Sequence, residues 1–243
     1  MAPTVFIVPG LWEGPAAFEP LRDILRAHGL KTFATSLKST GTRAPGNPTM
    51  SDDIEGIHAD FEKVVEEAGA DGVIAIMHSA GGFIGSGALK GLTAPAREYE
   101  GRLGGVRKII FIAAGIAPEG SDRFGGPFIK EQDDGSAVCV DSQNSLFHDL
   151  SPKEAEGWQN RLEVHPTLDN WKVAVPYCGW KDVPSIYILC ELDRLLPVHV
   201  QQMMAELAGS ETVRLEAGHM AQLSRPDAVA EVVLKAATGQ FNG

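Results

Sequence analysis

The chain is poor in cysteine, in positive charge and in long apolar runs, and each shortage removes a class of protein. Its three cysteines, Cys139, Cys178 and Cys190, are an odd number without metal-ligand spacing, so they read as packing residues; neither a disulfide framework nor a metal site is expected. Lys and Arg number 21 against 32 Asp and Glu, a formal net charge of −11, and the basic residues are scattered. Nothing there can neutralise a row of phosphates, which excludes nucleic acid as a partner. The longest apolar runs, Val73 to Met77 and Ile109 to Ala114, have the length of strands, so no membrane span is expected. No charged leader with a hydrophobic stretch and cleavage site stands before the first strand, and a cytoplasmic location is the expectation. No Pro/Gly/Ser-rich linker divides the 243 residues, which therefore read as one domain, 1–243.

What is present is organised around Gly72 to Gly82, where an apolar, β-branched run breaks into one hydroxyl among very small residues. This pattern predicts a buried strand turning sharply into a helix, with Ser79 strained and exposed at the turn. Ala80, Gly81 and Gly82 make room on the far side. Met77 stands where the usual Gly-x-Ser-x-Gly pattern has its first glycine, and a flexible, unbranched side chain is the tolerable substitute there. Read alone, Ser79 would also serve as a helix N-cap.

Short apolar strands are expected at Thr4 to Val8, Lys31 to Ala34, Val73 onward, Val106 to Ala113, Ser185 to Cys190 and Thr212 to Glu216. Amphipathic helices alternate with them: Ala17 to Ala27, one starting at Ser51 with Ile54, Ile57, Phe61, Val64 and Val65 inward, Ala80 to Leu89, Pro197 to Leu207 and Pro226 to Ala237. Such alternation specifies an α/β fold with a mostly parallel central sheet and helices on both faces. Residues 118–183 break the rhythm with helix-like patches and dense aromatics, among them Phe124, Phe128, Phe147, Trp158, Trp171, Tyr177 and Trp180. They read as an inserted helical cap roofing an apolar pocket.

A serine hydroxyl needs a base, and histidine is the side chain suited to that task. Of seven histidines, His219 follows the last strand, in the loop that reaches the sheet edge bearing Ser79. The imidazole needs a carboxylate from a neighbouring strand end, for which Asp193 is preferred and Glu191 is the rival. The oxyanion of an attacked carbonyl needs amide donors: Ala80 after the serine and Leu11 after the first strand, with Trp12 as its neighbour.

Phe6 to Trp12, Met77 to Gly82, Trp180 to Ser185 and Ala217 to His219 together resemble the α/β-hydrolase superfamily, and within it the small-esterase branch of methylesterases and hydroxynitrile lyases. The resemblance implies Ser79 as nucleophile, Asp193 as acid, His219 as base, and Leu11 and Ala80 as oxyanion donors, with no cofactor and no metal. Pro9 and Glu13 stand where many such relatives have histidines. Met220 takes the place of the lysine that follows the histidine in hydroxynitrile lyases. The expected activity is hydrolysis of a small to medium apolar carboxylic ester or lactone, with Trp12, His78, Phe128, Trp158, Trp180 and Met220 as substrate contacts. Lyase or carbon–carbon cleavage on the same triad, and ligand binding without turnover, are the alternatives; a homodimer stays open.

Overall fold

Runs in which every residue is apolar can only be strands covered on both faces. The computed structural model of the chain, which describes residues 2–122 and 125–240, has them so. The elements run β1 (Thr4–Val8), α1 (Glu19–Ala27), β2 (Thr32–Ala34), α2 (Met50–Ala68), β3 (Val73–His78), α3 (Gly81–Gly87), α4 (Ala94–Tyr99) and β4 (Val106–Ile112). After an excursion come β8 (Ser185–Cys190), α7 (Val198–Ala208), β9 (Glu211–Leu215), α8 (Ala221–Ser224) and α9 (Pro226–Ala237). Six strands form one sheet in the order β2-β1-β3-β4-β8-β9, and every neighbouring pair is parallel.

Alternate residues of the four central strands feed opposite cores. Phe6 and Val8 of β1, with Val73, Ala75 and Met77 of β3, join Ile57, Phe61 and Val65 of α2 on one face. Val5, Ile7, Ile74 and Ile76 join Leu21 and Leu25 of α1 and Val229 and Val233 of α9 on the other. Each fully buried aliphatic side chain contributes roughly 1.5–3 kcal/mol, which makes this two-sided alternation the main determinant of register. Helix α2 begins at Met50, one residue before the expected Ser51, because Thr49 and Asp52 close a capping box ahead of it. Asp53 lies in the first turn, as its charge suits, with its side chain turned inward to the Ser39 amide and hydroxyl at 2.9 and 2.6 Å. Helix α4 was not legible from the pattern.

The excursion between β4 and β8 carries more than helices. Strands β5 (Ile129–Glu131), β6 (Ser136–Cys139) and β7 (His165–Pro166) form a small antiparallel sheet, with α5 (Ser142–Leu146) and α6 (Pro152–Gln159) between β6 and β7. Phe124 lies outside the described residues. No helix among the described residues is long and apolar enough to cross a membrane.

Candidate active site

Because all six strands run the same way, the loops after β1, β3, β8 and β9 emerge at one edge of the sheet. Ser79 sits in the turn from β3 to α3 with φ at 50°, a left-handed conformation that a non-glycine residue adopts only when its surroundings enforce it. Its amide donates to the Ile112 carbonyl at 3.2 Å, and its carbonyl accepts from Gly82 and Gly115 at 3.0 and 2.8 Å. Small residues are required at three points. A Cβ on Gly81 would lie 2.5 Å from the Pro9 carbonyl oxygen, one on Gly82 would overlap the Gly115 oxygen, and one on Gly10 would press on Ser79. Met77 fits where a glycine is usual because Gly85 faces it without a side chain; a Cβ there would stand 3.1 Å from the Met77 sulfur.

His219 and Asp193 complete a chain of contacts from that hydroxyl. The Ser79 Oγ lies 3.1 Å from His219 Nε2, and His219 Nδ1 lies 2.8 Å from Asp193 Oδ2. Both residues are buried. Asp193 is immobilised by the amides of Leu195 and Leu196, which donate to Oδ1 at 2.8 and 2.9 Å, and by Gln201 Nε2 at 3.2 Å from Oδ2. Gln201 is itself clamped to the end of β8 through the Cys190 amide and carbonyl. The rival Glu191 turns away: its exposed carboxylate pairs with Arg214 at 3.0 Å. A carboxylate on Nδ1 fixes the tautomer that leaves Nε2 free to take a proton from the hydroxyl.

Among the described residues, no protein acceptor is found for the backbone amides of Leu11 and Ala80, the two donors flanking Ser79. Above them opens a cavity of about 420 Å³. Its walls include Trp12, Phe83, Ile116, Phe128, Leu168, Trp171 and Met204; among the described residues the polar side chains facing it are Ser79, Ser121, His219 and the indoles, and none of these carries a fixed charge. Trp12 is held with φ at 65°, its indole N–H donating to the Ala137 carbonyl of the small sheet at 2.9 Å and its ring edge-on to Phe128.

The structure separates the remaining expected contacts. Trp12 and Phe128 line the cavity, but Trp158 and Trp180 do not. Trp158 lies half-buried under Arg161 against the α1/α9 core, and Trp180 packs in the opposite core, its amide reaching Ser86. His78 and Met220 border a small void of about 10 Å³ shared with Glu13. His78 has both nitrogens engaged, Nδ1 by Glu13 and Nε2 by the His219 carbonyl at 2.9 Å. Trp171, expected among the aromatics roofing a pocket, does line the cavity, whereas sequence reasoning missed Gln201 and Glu13 as parts of the site; neither carries a local pattern that distinguishes it. Burial pushes the Cys139 thiol up to about 12 and the Cys190 thiol well above its ordinary range, which keeps both protonated and inert. Among the described residues, no group of three His, Cys, Asp or Glu side chains is arranged to hold a metal ion.

Residues 5–232 match the sequence profile of the alpha/beta hydrolase family. The chain belongs to that family. Among other members, alpha/beta hydrolase nvfD of Aspergillus novofumigatus (strain IBT 16806) is 28% identical over 249 residues, covering 98% of this chain and 97% of its own length. Among solved structures, the fold is similar to methylesterase MES16 from Arabidopsis, with a TM-score of 0.72 at 17% identity over 97% of this chain and 99% of that one. It is equally similar to a pyrethroid hydrolase from Sphingobium faniae JZ-2, with a TM-score of 0.72 at 17% identity over 99% and 100%. At such identities the structural likeness carries the alpha/beta hydrolase fold alone.

Proposed function

We propose that this alpha/beta hydrolase is a serine hydrolase of apolar carboxylic esters, working through an acyl-enzyme on Ser79. The observation that carries the reading is the continuous Asp193–His219–Ser79 contact chain, 2.8 and 3.1 Å long at its two links, beneath a cavity whose described walls carry no fixed charge. Relatives named as an esterase and a hydrolase agree with it.

His219 Nε2 takes the Ser79 proton as Oγ bonds to the substrate carbonyl carbon. The negative charge that develops on the carbonyl oxygen falls to the Leu11 and Ala80 amides, each such donor contributing roughly 10²–10³ in rate. Collapse of the adduct breaks the ester C–O bond, and His219 returns its proton to the departing alcohol. Water then attacks the acyl group, again giving a proton to His219, and the carboxylic acid leaves as Ser79 regains its hydrogen. Asp193 stays ionised throughout, holding the imidazole and balancing its transient charge.

The cavity bears on substrate class. Its described walls carry no fixed charge that could serve as a counter-ion, which favours a neutral acyl or aryl group, with Ser121, Phe128, Ile129, Leu168 and Trp171 contributed by the excursion between β4 and β8. A panel of p-nitrophenyl esters of graded acyl length tests the reading: turnover that disappears in Ser79→Ala supports it, and equal turnover by that variant removes it.

A further inference from the structure

Glu13, in the loop after β1, and His78, the last residue of β3, are both buried, at 4% and 1% exposure. A carboxylate there is costly unless it is paired. Its partners are specific. Glu13 Oε1 accepts the Gly10 amide and meets His78 Nδ1, while Oε2 accepts from Gln222 Nε2 at 3.3 Å. His78 Nε2 lies 2.9 Å from the His219 carbonyl oxygen, which can only accept, so Nε2 bears a hydrogen.

The other nitrogen, Nδ1, faces an oxygen that is already occupied. Glu13 Oε1 already takes the Gly10 N–H, and a bare Nδ1 beside it would set lone pair against lone pair. A proton therefore lies between them; held on His78, it makes the ring an imidazolium facing a carboxylate. Burial by itself disfavours that charge, but Glu13 outweighs it, so His78 holds its proton above its ordinary value. The two rings, His78 and His219, stand 4.8 Å apart.

The consequence concerns what the pair touches at each end. At one end is the amide of Gly10, the residue before Leu11. At the other is the backbone carbonyl of His219 itself. Assuming the proposed catalytic roles of Leu11 and His219, we infer that Glu13 and His78 form a buried carboxylate–imidazolium strut that sets the Leu11 amide and the His219 ring at their working separation. They are positioning residues: neither lines the main cavity, and both act through groups that do.

Two measurements test this. In the wild-type chain with ¹⁵N-labelled histidine, His78 assigned by backbone correlations should show both ring nitrogens protonated at neutral pH; one bare nitrogen overturns the strut. In kinetics with a neutral aryl ester, Glu13→Gln and His78→Gln should lower kcat roughly ten- to a hundredfold with KM little changed, because the reacting groups are displaced while the cavity is kept. Affinity for a boronic acid, which fills the oxyanion position, should fall in parallel. The double variant should lose no more than the worse single one, since each residue acts only through the other. Unchanged kcat in Glu13→Gln, or losses that multiply in the double variant, contradict the proposal. If the wild type cleaves no ester, the catalytic reading and the positioning role both fail, while the nitrogen signals still decide the pair's charge.

Discussion

A Cβ added to Gly10 would stand 2.6 Å from the Cβ of Ser79. The loop after β1 thus lies against Ser79 as closely as a glycine allows. Gly10→Ala must push one of them aside. A displacement of about 1 Å can cost roughly 10² in rate, so kcat for an activated ester should fall by about that factor with the fold intact by circular dichroism. Wild-type kcat would show that the loop is not held in register with Ser79.

The two candidate acids point in different directions. Asp193 accepts two amides and faces His219, whereas Glu191 faces Arg214 at the surface. Asp193→Asn should lower kcat by roughly 10³–10⁴, and Glu191→Gln should change it less than about twofold, as expected for an exposed ion pair. Steady-state rates at saturating ester give the ranking, and its reversal would move the acid to Glu191.

Selectivity should follow the cavity wall. Each buried methylene contributes about 0.8 kcal/mol, about fourfold in kcat/KM, until the cavity of about 420 Å³ is filled. Phe128→Ala should shift the optimum toward longer acyl chains, while Trp158→Ala, which alters a side chain outside the cavity, should leave it in place. A panel of acyl lengths measured on both variants distinguishes them.

How much of this was legible depended on whether the signal was local. β1, β3 and β8 declared themselves because strands buried on both faces are apolar at every position, and the Ser79 turn because steric demand writes small residues beside it. The inward stripe of α2 was equally plain. Aromatic content, however, says nothing of direction: Trp158 and Trp180 shared the expected cap with Phe128, yet Trp158 packs on the edge of one core and Trp180 inside the other, on opposite sides of the sheet. Strands of two to four residues such as β5, β6 and β7 are too short to show a period. The Glu13–His78 pair joins positions 65 apart, and only burial distinguishes it from ordinary surface polarity.

His165 carries a pH signature. It is fully buried, its ring against Trp171 of the cavity wall and its nitrogens 2.9 Å from Ser39 Oγ and the Pro166 oxygen. Burial pushes its pKa from 6.5 down to about 4. The unfolded chain therefore takes up a proton in that interval that the folded one refuses, so the stability is present above the upper value and is lost as pH falls toward the lower. The loss amounts to roughly 3 kcal/mol. Urea denaturation across that window should show a smaller decline in His165→Gln than in the wild type; equal slopes would mean that His165 is not refusing the proton.

The central claim is a covalent bond to one oxygen. Mixing the protein with a p-nitrophenyl ester, quenching in acid before turnover is complete, and mapping the peptides by mass spectrometry should place the acyl group on Ser79, with a matching burst of nitrophenolate. An acyl group on another residue, or hydrolysis that proceeds with no acylated intermediate and survives in Ser79→Ala, would contradict the account.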